Sequence, residues 1–118
     1  MKPRVDARAA EDAAARFLRR RGYKVAQRNF ATPLGEIDIV ATHQGEVVFV
    51  EVKARAASPA APPEVAVDHR KRAKLRRIAQ VFLERKRLLD APCRFDVVAL
   101  TRTPDGDDWE IELFQDAF

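Results

Sequence analysis

Two runs rich in isoleucine and valine, divided by a short linker containing glycine, constrain the fold of this chain more than any other sequence feature. The runs cover 36–42 and 46–53, and His43-Gln44-Gly45 lies between them. β-Branched residues favour the extended backbone, and glycine supports the tight turn that joins two antiparallel strands. The sequence therefore predicts a β-hairpin whose two-residue turn is Gln44-Gly45.

This turn fixes which residues of the two strands face each other. We expect Asp38 opposite Glu51 and Glu36 opposite Lys53. Because alternate side chains leave a strand on the same face, all four charged groups are predicted to share one face. Two facing carboxylates repel each other, and a divalent cation such as Mg²⁺ relieves that repulsion. The pattern fits either a metal site or a ladder of ion pairs on a half-exposed sheet, and the hairpin alone leaves both open.

The remaining elements follow from apolar periodicity and from helix-terminating residues. Helical spacing predicts a first helix over 8–21, in which Glu11 is the one acidic residue that leans toward the covered face. The stretch 54–67 is rich in proline and alanine and is predicted to be a mobile loop. The other predicted elements are a strand over 23–30, a helix from the cap Asp68 to about Leu88, and strands over 94–100 and 109–114.

This order of elements predicts an α/β fold with the sequence α-β-β-β-α-β-β. The helix between the third and fourth strands implies that these two strands are parallel, because a crossover connection joins strands of the same direction. The expected architecture is a single domain over 1–118, with a central mixed five-stranded sheet flanked by helices.

Composition narrows the class of protein. The chain is 47% hydrophobic, which is enough for a core, and its longest apolar runs, such as Val47 to Val50, are far too short to cross a bilayer. The single cysteine, Cys93, can form neither an internal disulfide nor a cysteine metal cluster. No charged and then apolar leader opens the sequence. We therefore expect a cytoplasmic globular domain that does not enter a membrane.

Basic residues are unevenly distributed along the chain. Lysine and arginine number 22 against 18 acidic residues, a net charge of +4, and six of the eight residues over 70–77 are basic. A second basic group, Arg19 to Arg21, ends the first helix. Such patches attract polyanions, although a solvated helix face is the simpler interpretation of the charge alone.

Several other polar and aromatic residues have simpler interpretations. Asp96 lies on a predicted central strand and is expected to be a structural hydrogen-bond partner. His43 and His69 are predicted to be solvated, and Cys93 is predicted to fill apolar space. Trp109 is expected to pack at the sheet edge, with stacking on a nucleobase as the alternative.

The hairpin motifs also carry a resemblance to a known family. Gly35-Glu36-Ile37-Asp38-Ile39-Val40 and Val48-Phe49-Val50-Glu51-Val52-Lys53-Ala54-Arg55 resemble the YraN family, as do Gly22-Tyr23, Arg28-Asn29-Phe30 and the closing Ala117-Phe118. That largely uncharacterised family is assigned to the PD-(D/E)xK, restriction-endonuclease-like, nuclease superfamily, and its members are similar to archaeal-type Holliday junction resolvases. Two departures are Ala10, where the family often has glycine, and Ile37, where the superfamily motif has proline. Neither departure removes a catalytic group.

The resemblance implies a role for each residue of the motif. Asp38 and Glu51 would bind Mg²⁺ or Mn²⁺, and the backbone carbonyl of Val52 would be a further ligand. Lys53 would position and activate the attacking water. Glu11 would complete the acidic site, either directly or through a coordinated water. Glu36 is a further residue of the motif, and its simpler interpretation is a salt bridge to Lys53.

The same resemblance implies a restriction-endonuclease-like fold and contact with nucleic acid. Arg55, which follows the motif strand, could contact the DNA backbone, and its simpler interpretation is an exposed arginine at the start of the loop. Lys71 lies on the inward face of the second helix and could reach a phosphate near the site, with Arg70, Arg72 and Lys74 beside it. A lysine stem that packs along the core is an equally good account of Lys71. Resolvase-like relatives act as symmetric dimers, so a homodimer is possible here.

Three hypotheses for function follow. The chain is a metal-dependent endonuclease acting on branched or otherwise structured DNA, a catalytically silent nucleic-acid-binding module with a nuclease fold, or a protein-interaction domain whose motif is a structural charge ladder.

Overall fold

The secondary structure follows the predicted order α-β-β-β-α-β-β. The computed structural model describes residues 3–57 and 67–118, and side chains from residue 7 onward. Its elements are α1 (Pro3–Arg20), β1 (Lys24–Thr32), β2 (Gly35–His43), β3 (Glu46–Arg55), α2 (His69–Arg85), β4 (Cys93–Arg102) and β5 (Trp109–Phe114). The predicted α/β class with a mixed five-stranded sheet is therefore confirmed, and the arrangement is consistent with a nuclease-like fold.

The strands lie in the sheet in their order along the chain, β1-β2-β3-β4-β5. Three of the four neighbouring pairs are antiparallel, and β3 and β4 are parallel because α2 connects them. The hairpin turn has positive φ at both central residues, 52° at Gln44 and 83° at Gly45. This is the turn geometry that matches the twist of antiparallel strands. His43 accordingly pairs with Glu46, as predicted.

Each face of the sheet is covered by one helix. On one face, α1 packs its small residues and Leu18 against Ile39, Val48 and Val50. On the other face, α2 packs its buried residues Leu75, Ile78, Ala79 and Phe82 against Val40, Phe49 and Phe95. Both faces of β3 are therefore buried, which explains why its sequence is an almost continuous apolar run.

The side chain of Asp68 caps α2, as predicted. Its Oδ1 accepts a hydrogen bond from the Lys71 amide at 2.9 Å, which satisfies one of the free N–H groups of the first turn. The cap sets the start of the helix and hence the position of Lys71. In the described part of the chain, neither helix has the length and apolar character needed to span a membrane.

The limits of β3 correct one prediction. Ala54 and Arg55 belong to the strand and not to the loop predicted over 54–67, because β3 pairs with β4 as far as Arg55 and Thr101. Residues 58–66, the centre of that predicted loop, lie outside the described residues.

Two predictions about single side chains are wrong. Cys93 is exposed, because it is the first residue of β4 and lies before the buried part of that strand. His43 is half-buried and not solvated, because its ring stacks on Tyr23 with a centroid separation of 4.0 Å. His69 is exposed, as predicted.

Asp96 is a wholly buried acid at the centre of β4, and its structural role is confirmed. Its carboxylate accepts hydrogen bonds from the Tyr23 hydroxyl at 2.8 Å, Arg94 Nε at 3.0 Å and the Asp116 amide at 2.9 Å. These bonds tie the start of β1 and the end of the chain to the centre of the sheet. A buried charge is tolerated here because it is both paired and hydrogen-bonded.

We expect Asp96→Ala to lower the free energy of unfolding by about 3 kcal/mol, since it leaves the nearly buried Arg94 short of a partner. Urea unfolding would measure the loss, with the exposed Asp90→Ala as a control that changes stability by less than about 0.5 kcal/mol. If Asp96→Ala does not fold, Asp96→Asn provides the smaller change to measure. Equal stability of wild type and Asp96→Asn would contradict this account of the network.

Candidate metal centre

Three carboxylates converge where α1 passes the beginning of β2. Glu11 comes from α1, Glu36 and Asp38 come from β2, and one oxygen atom of each lies within 4.8 Å of the other two. Glu36 is exposed, whereas Glu11 and Asp38 are half-buried. This grouping concentrates negative charge at one point of the surface of a chain that is basic overall.

Asp38 is held at the point where β2 and β3 separate. Its Oδ2 accepts a hydrogen bond from the backbone amide of Val52 at 2.8 Å. Burial raises the pKa of Asp38 to about 7, the hydrogen bond from Val52 opposes the rise, and the negative charges of Glu51, Glu11 and Glu36 add to it. The hydrogen bond therefore fixes the position of the Asp38 carboxylate, and the ionised form of this carboxylate is unfavourable in the metal-free protein.

The prediction that the four charged residues of the hairpin share one face of the sheet is only partly correct. The register of β2 with β3 matches the prediction from His43 and Glu46 up to Ile39 and Val50, where the pairing ends. Beyond this point the Asp38 side chain, and not a β2 backbone carbonyl, takes up the Val52 amide. Asp38 therefore does not pair across the strands with Glu51.

The alternation of side chains along β2 also changes at Asp38. Ile37 packs in the core covered by α2, whereas Ile39 packs in the core covered by α1. Strict alternation would place both on the same face. The prediction that Glu36 shares a face with Lys53 was wrong for this reason, and Glu36 instead joins Glu11 of α1.

Glu11 has two partners that the sequence reasoning did not place in the site. Asn29 Nδ2 donates a hydrogen bond to Glu11 Oε1 at 2.9 Å, and Arg28 Nη2 lies 3.6 Å from the same oxygen. Burial raises the pKa of Glu11, and the nearby Arg28 charge works against that rise. The signal for these residues was the pairing of β1 with β2, which places Asn29 level with Asp38.

Glu51 lies close to this cluster but has a different immediate partner. Its carboxylate is buried and contacts Lys71 Nζ at 2.5 Å. Burial works to lower the pKa of Lys71, but the hydrogen bond and the charge of Glu51 raise it overall. Lys71 therefore points its ammonium group toward Glu51.

Lys53 and Arg55 line a cleft of about 350 Å³ together with Glu51 and Lys71. Arg55 Nε donates a hydrogen bond to Thr101 Oγ1 at 3.0 Å, which holds the end of β3 against β4. The ion pairs of residues 3–57 and 67–118 include no contact between Lys53 and Glu36. The Glu36–Lys53 salt bridge expected of a charge ladder is thus replaced by the pair of Glu51 with Lys71.

The other basic residues of the predicted nucleic-acid contact lie along the first turns of α2. Arg70 and Lys74 are exposed, whereas Arg72 is half-buried. Arg72 Nε donates a hydrogen bond to the carbonyl of Val67 at 2.7 Å, and its guanidinium lies over the ring of Phe118. Arg72 therefore braces the start of the helix, while Arg70 and Lys74 remain accessible to an anion.

The chemistry of the three-carboxylate cluster fits a hard divalent cation. Mg²⁺ and Mn²⁺ prefer oxygen ligands, and Mg²⁺ is held in proteins by few carboxylates together with water and substrate phosphate. Glu11, Glu36 and Asp38 offer such oxygens from two rigid elements. Burial, and after it the charges of the neighbouring carboxylates, raise the pKa of Asp38, and a bound cation would offset both.

A family model matches most of the chain. The model described as "Uncharacterised protein family UPF0102" matches residues 10–100, which include α1 from Ala10 onward, the hairpin, α2 and most of β4. The chain therefore belongs to this family, for which YraN family is another name, as the sequence motifs had indicated.

Relatives from several bacteria match over most of the chain. A UPF0102 protein of Syntrophotalea carbinolica is 45% identical over 108 residues, which are 92% of this chain and 86% of that protein. A UPF0102 protein of Moorella thermoacetica is 48% identical over 76% of this chain and 75% of its own length. A third, from Magnetococcus marinus, is 42% identical over 92% of this chain and 87% of its own. The similarity thus covers most of the chain.

We expect Asp38→Asn to stabilise the metal-free protein at pH 8. The folded state keeps the Asp38 proton up to about pH 7, whereas the unfolded chain releases it near 3.8, so this residue lowers stability as pH rises between these values. Asparagine removes that cost and can still accept the Val52 hydrogen bond. Thermal unfolding in EDTA should show a gain of about 1–3 kcal/mol at pH 8 and a much smaller one at pH 4.

The control for this prediction is Glu112→Gln, which removes one negative charge from an exposed position of β5. It should leave stability nearly unchanged at both pH values. Destabilisation by Asp38→Asn at pH 8 would contradict the account of a buried, unfavourable carboxylate.

Proposed function

We propose that the chain is a metal-dependent endonuclease that hydrolyses phosphodiester bonds of branched or otherwise structured DNA. The observation that supports this most is the convergence of Glu11, Glu36 and Asp38 from two elements, beside the strand that carries Glu51 and Lys53. The proposal also draws on the resemblance of the hairpin motifs to nucleases of the PD-(D/E)xK superfamily.

The carboxylates would form the metal site. Asp38 would hold Mg²⁺ or Mn²⁺ together with Glu11 and Glu36, and Glu51 and the Val52 carbonyl are the further ligands that the family resemblance implies. A bound divalent cation stabilises charge that develops on the phosphate and makes a coordinated water more acidic. The hydrogen bond from the Val52 amide keeps the Asp38 carboxylate in place before the substrate arrives.

Lys53 would position the attacking water. It lines the same cleft as Glu51, and the ion pairs within residues 3–57 and 67–118 do not involve it. Its ammonium group is thus available for a water molecule or a phosphate oxygen. A positive charge at this position also stabilises the negative charge that builds up during attack on the phosphate.

The DNA backbone would lie along the start of α2. Arg70 and Lys74 are exposed there, and Lys71 and Arg55 line the cleft that leads to Glu51. A row of cations beside an acidic metal centre suits a polyanion, because the cations hold phosphates while the acids hold the metal. Lys71 would leave Glu51 when that carboxylate takes up a cation, and its charge would then face the phosphate.

The second candidate function is a catalytically silent DNA-binding module. The contact between Lys71 and Glu51 favours it, because a lysine then neutralises one of the acids that the family resemblance assigns to the metal. The third hypothesis, a structural charge ladder in a protein-interaction domain, is less well supported. A ladder pairs opposite charges, whereas Glu11, Glu36 and Asp38 bring like charges together.

Cleavage of a labelled panel of a four-way junction, a flap, a single strand and a linear duplex tests the proposal. We expect cleavage with Mn²⁺ or Mg²⁺ and none in EDTA, and Asp38→Ala and Lys53→Ala should each lower the rate by at least about 100-fold. The preferred member of the panel would identify the substrate class.

Lys24→Ala, purified in the same way, is the matched control, because it removes an exposed lysine at the far end of β1. Equal cleavage by wild type and Lys53→Ala would point to a contaminating nuclease and count against the enzyme. Salt-sensitive binding without cleavage would establish the silent module instead.

A further inference from the structure

A second cleft opens on the opposite side of the end of β3 from the one that contains Lys53. Its volume is about 430 Å³, within the range of pockets that bind small organic groups. Glu11 and Asp38 lie in its lining, so the cleft leads directly to the carboxylate cluster. Ala7 and Ala10 of α1 form part of its wall, and their small side chains leave the space open.

The outer wall of this cleft is a flat, cationic platform formed by two residues. Arg102 at the end of β4 pairs with Trp109 at the beginning of β5, and the Arg102 guanidinium lies 3.9 Å from the centre of a Trp109 ring. Stacking on the guanidinium orients the half-buried indole at the edge of the sheet. The contact therefore builds two adjacent planar groups into the wall of the cleft.

These features suit one kind of occupant, a flat aromatic group attached to an anion. Much of the wall is small and apolar, the platform offers a π surface, and Arg55 and Arg102 contribute positive charge that offsets the negative charge of Glu11 and Asp38 in the same lining. A nucleobase with its phosphate has this combination, and aromatic side chains stack on bases in proteins that bind single strands. A base stacked and paired within a duplex would have to leave the helix to enter the cleft.

We propose that this cleft binds an unpaired nucleobase of the DNA substrate, next to the phosphate that is cleaved. The inference rests on the proposed nuclease function and makes its substrate class more specific. The base stacks on the platform that Trp109 and the Arg102 guanidinium over its ring form together. The protein should therefore prefer DNA strands that have unpaired nucleotides near a junction. This preference should not depend on the base sequence, because every base has an aromatic face.

Trp109 is the only tryptophan of the chain, so intrinsic fluorescence reports on this wall alone. We would titrate wild-type protein, without divalent cations, with an oligothymidylate of about 12 nucleotides, a length that spans a single-strand binding site. The comparison ligands are a duplex of equal length and an oligomer of abasic residues, which keeps the phosphates and lacks bases. Fluorescence anisotropy of the labelled DNA measures binding separately.

The oligothymidylate should quench Trp109, and it should bind at least about tenfold more tightly than the abasic oligomer, since each base that stacks on an aromatic side chain adds to the affinity. The duplex should bind without quenching. Trp109→Phe should retain the preference for bases, and Trp109→Leu, which keeps an apolar side chain in β5, should lose it.

Two outcomes would overturn the proposal while leaving the nuclease function intact. One is equal binding of thymidylate and abasic oligomers with unchanged fluorescence. The other is quenching by thymidine monophosphate at the same concentration as by the oligomer, which would make the cleft a site for free nucleotides. A flat anisotropy signal for every DNA would count against both this inference and the proposed nuclease.

Discussion

The hydrogen bond between the Val52 amide and Asp38 Oδ2 determines where β2 and β3 separate, and the site depends on that separation. Up to Ile39 and Val50 the two strands form a regular antiparallel pair. Beyond it, a side-chain oxygen replaces the backbone acceptor at 2.8 Å. The Val52 amide therefore stays satisfied while the strands diverge, and the divergence makes room for Glu11 of α1 beside Asp38.

The cost of this arrangement is electrostatic. Burial raises the pKa of Asp38 to about 7, and three neighbouring acids add to the effect, so the site is least favourable when all of its carboxylates are ionised. Asn29 and Arg28 offset part of the cost at Glu11, and Lys71 offsets it at Glu51. The cluster lowers the stability of the folded protein, and a bound cation would offset that cost.

The order of helices, strands and turns could be predicted from the sequence, because local chemistry and apolar periodicity indicate the same elements. The Gln44-Gly45 turn, the Asp68 cap and the parallel step across α2 all follow from short-range rules. The details of the site depend on departures from those rules. Alternation predicted a shared face for Glu36 and Lys53, but β2 changes its facing at Asp38. The contact of Lys71 with Glu51 was out of reach because it depends on how α2 packs over the sheet in three dimensions.

Binding of Mn²⁺ to the metal-free protein is the most direct test of the central claim that the carboxylates form a cation site. Electron paramagnetic resonance of free Mn²⁺ would measure it near pH 8, where Asp38 is ionised. The account predicts a binding site that Asp38→Asn weakens by at least about tenfold, because even indirect partners of a metal contribute that much. Glu112→Gln should leave the affinity unchanged. Equal affinity of wild type and Asp38→Asn, or no binding by either, would contradict the account.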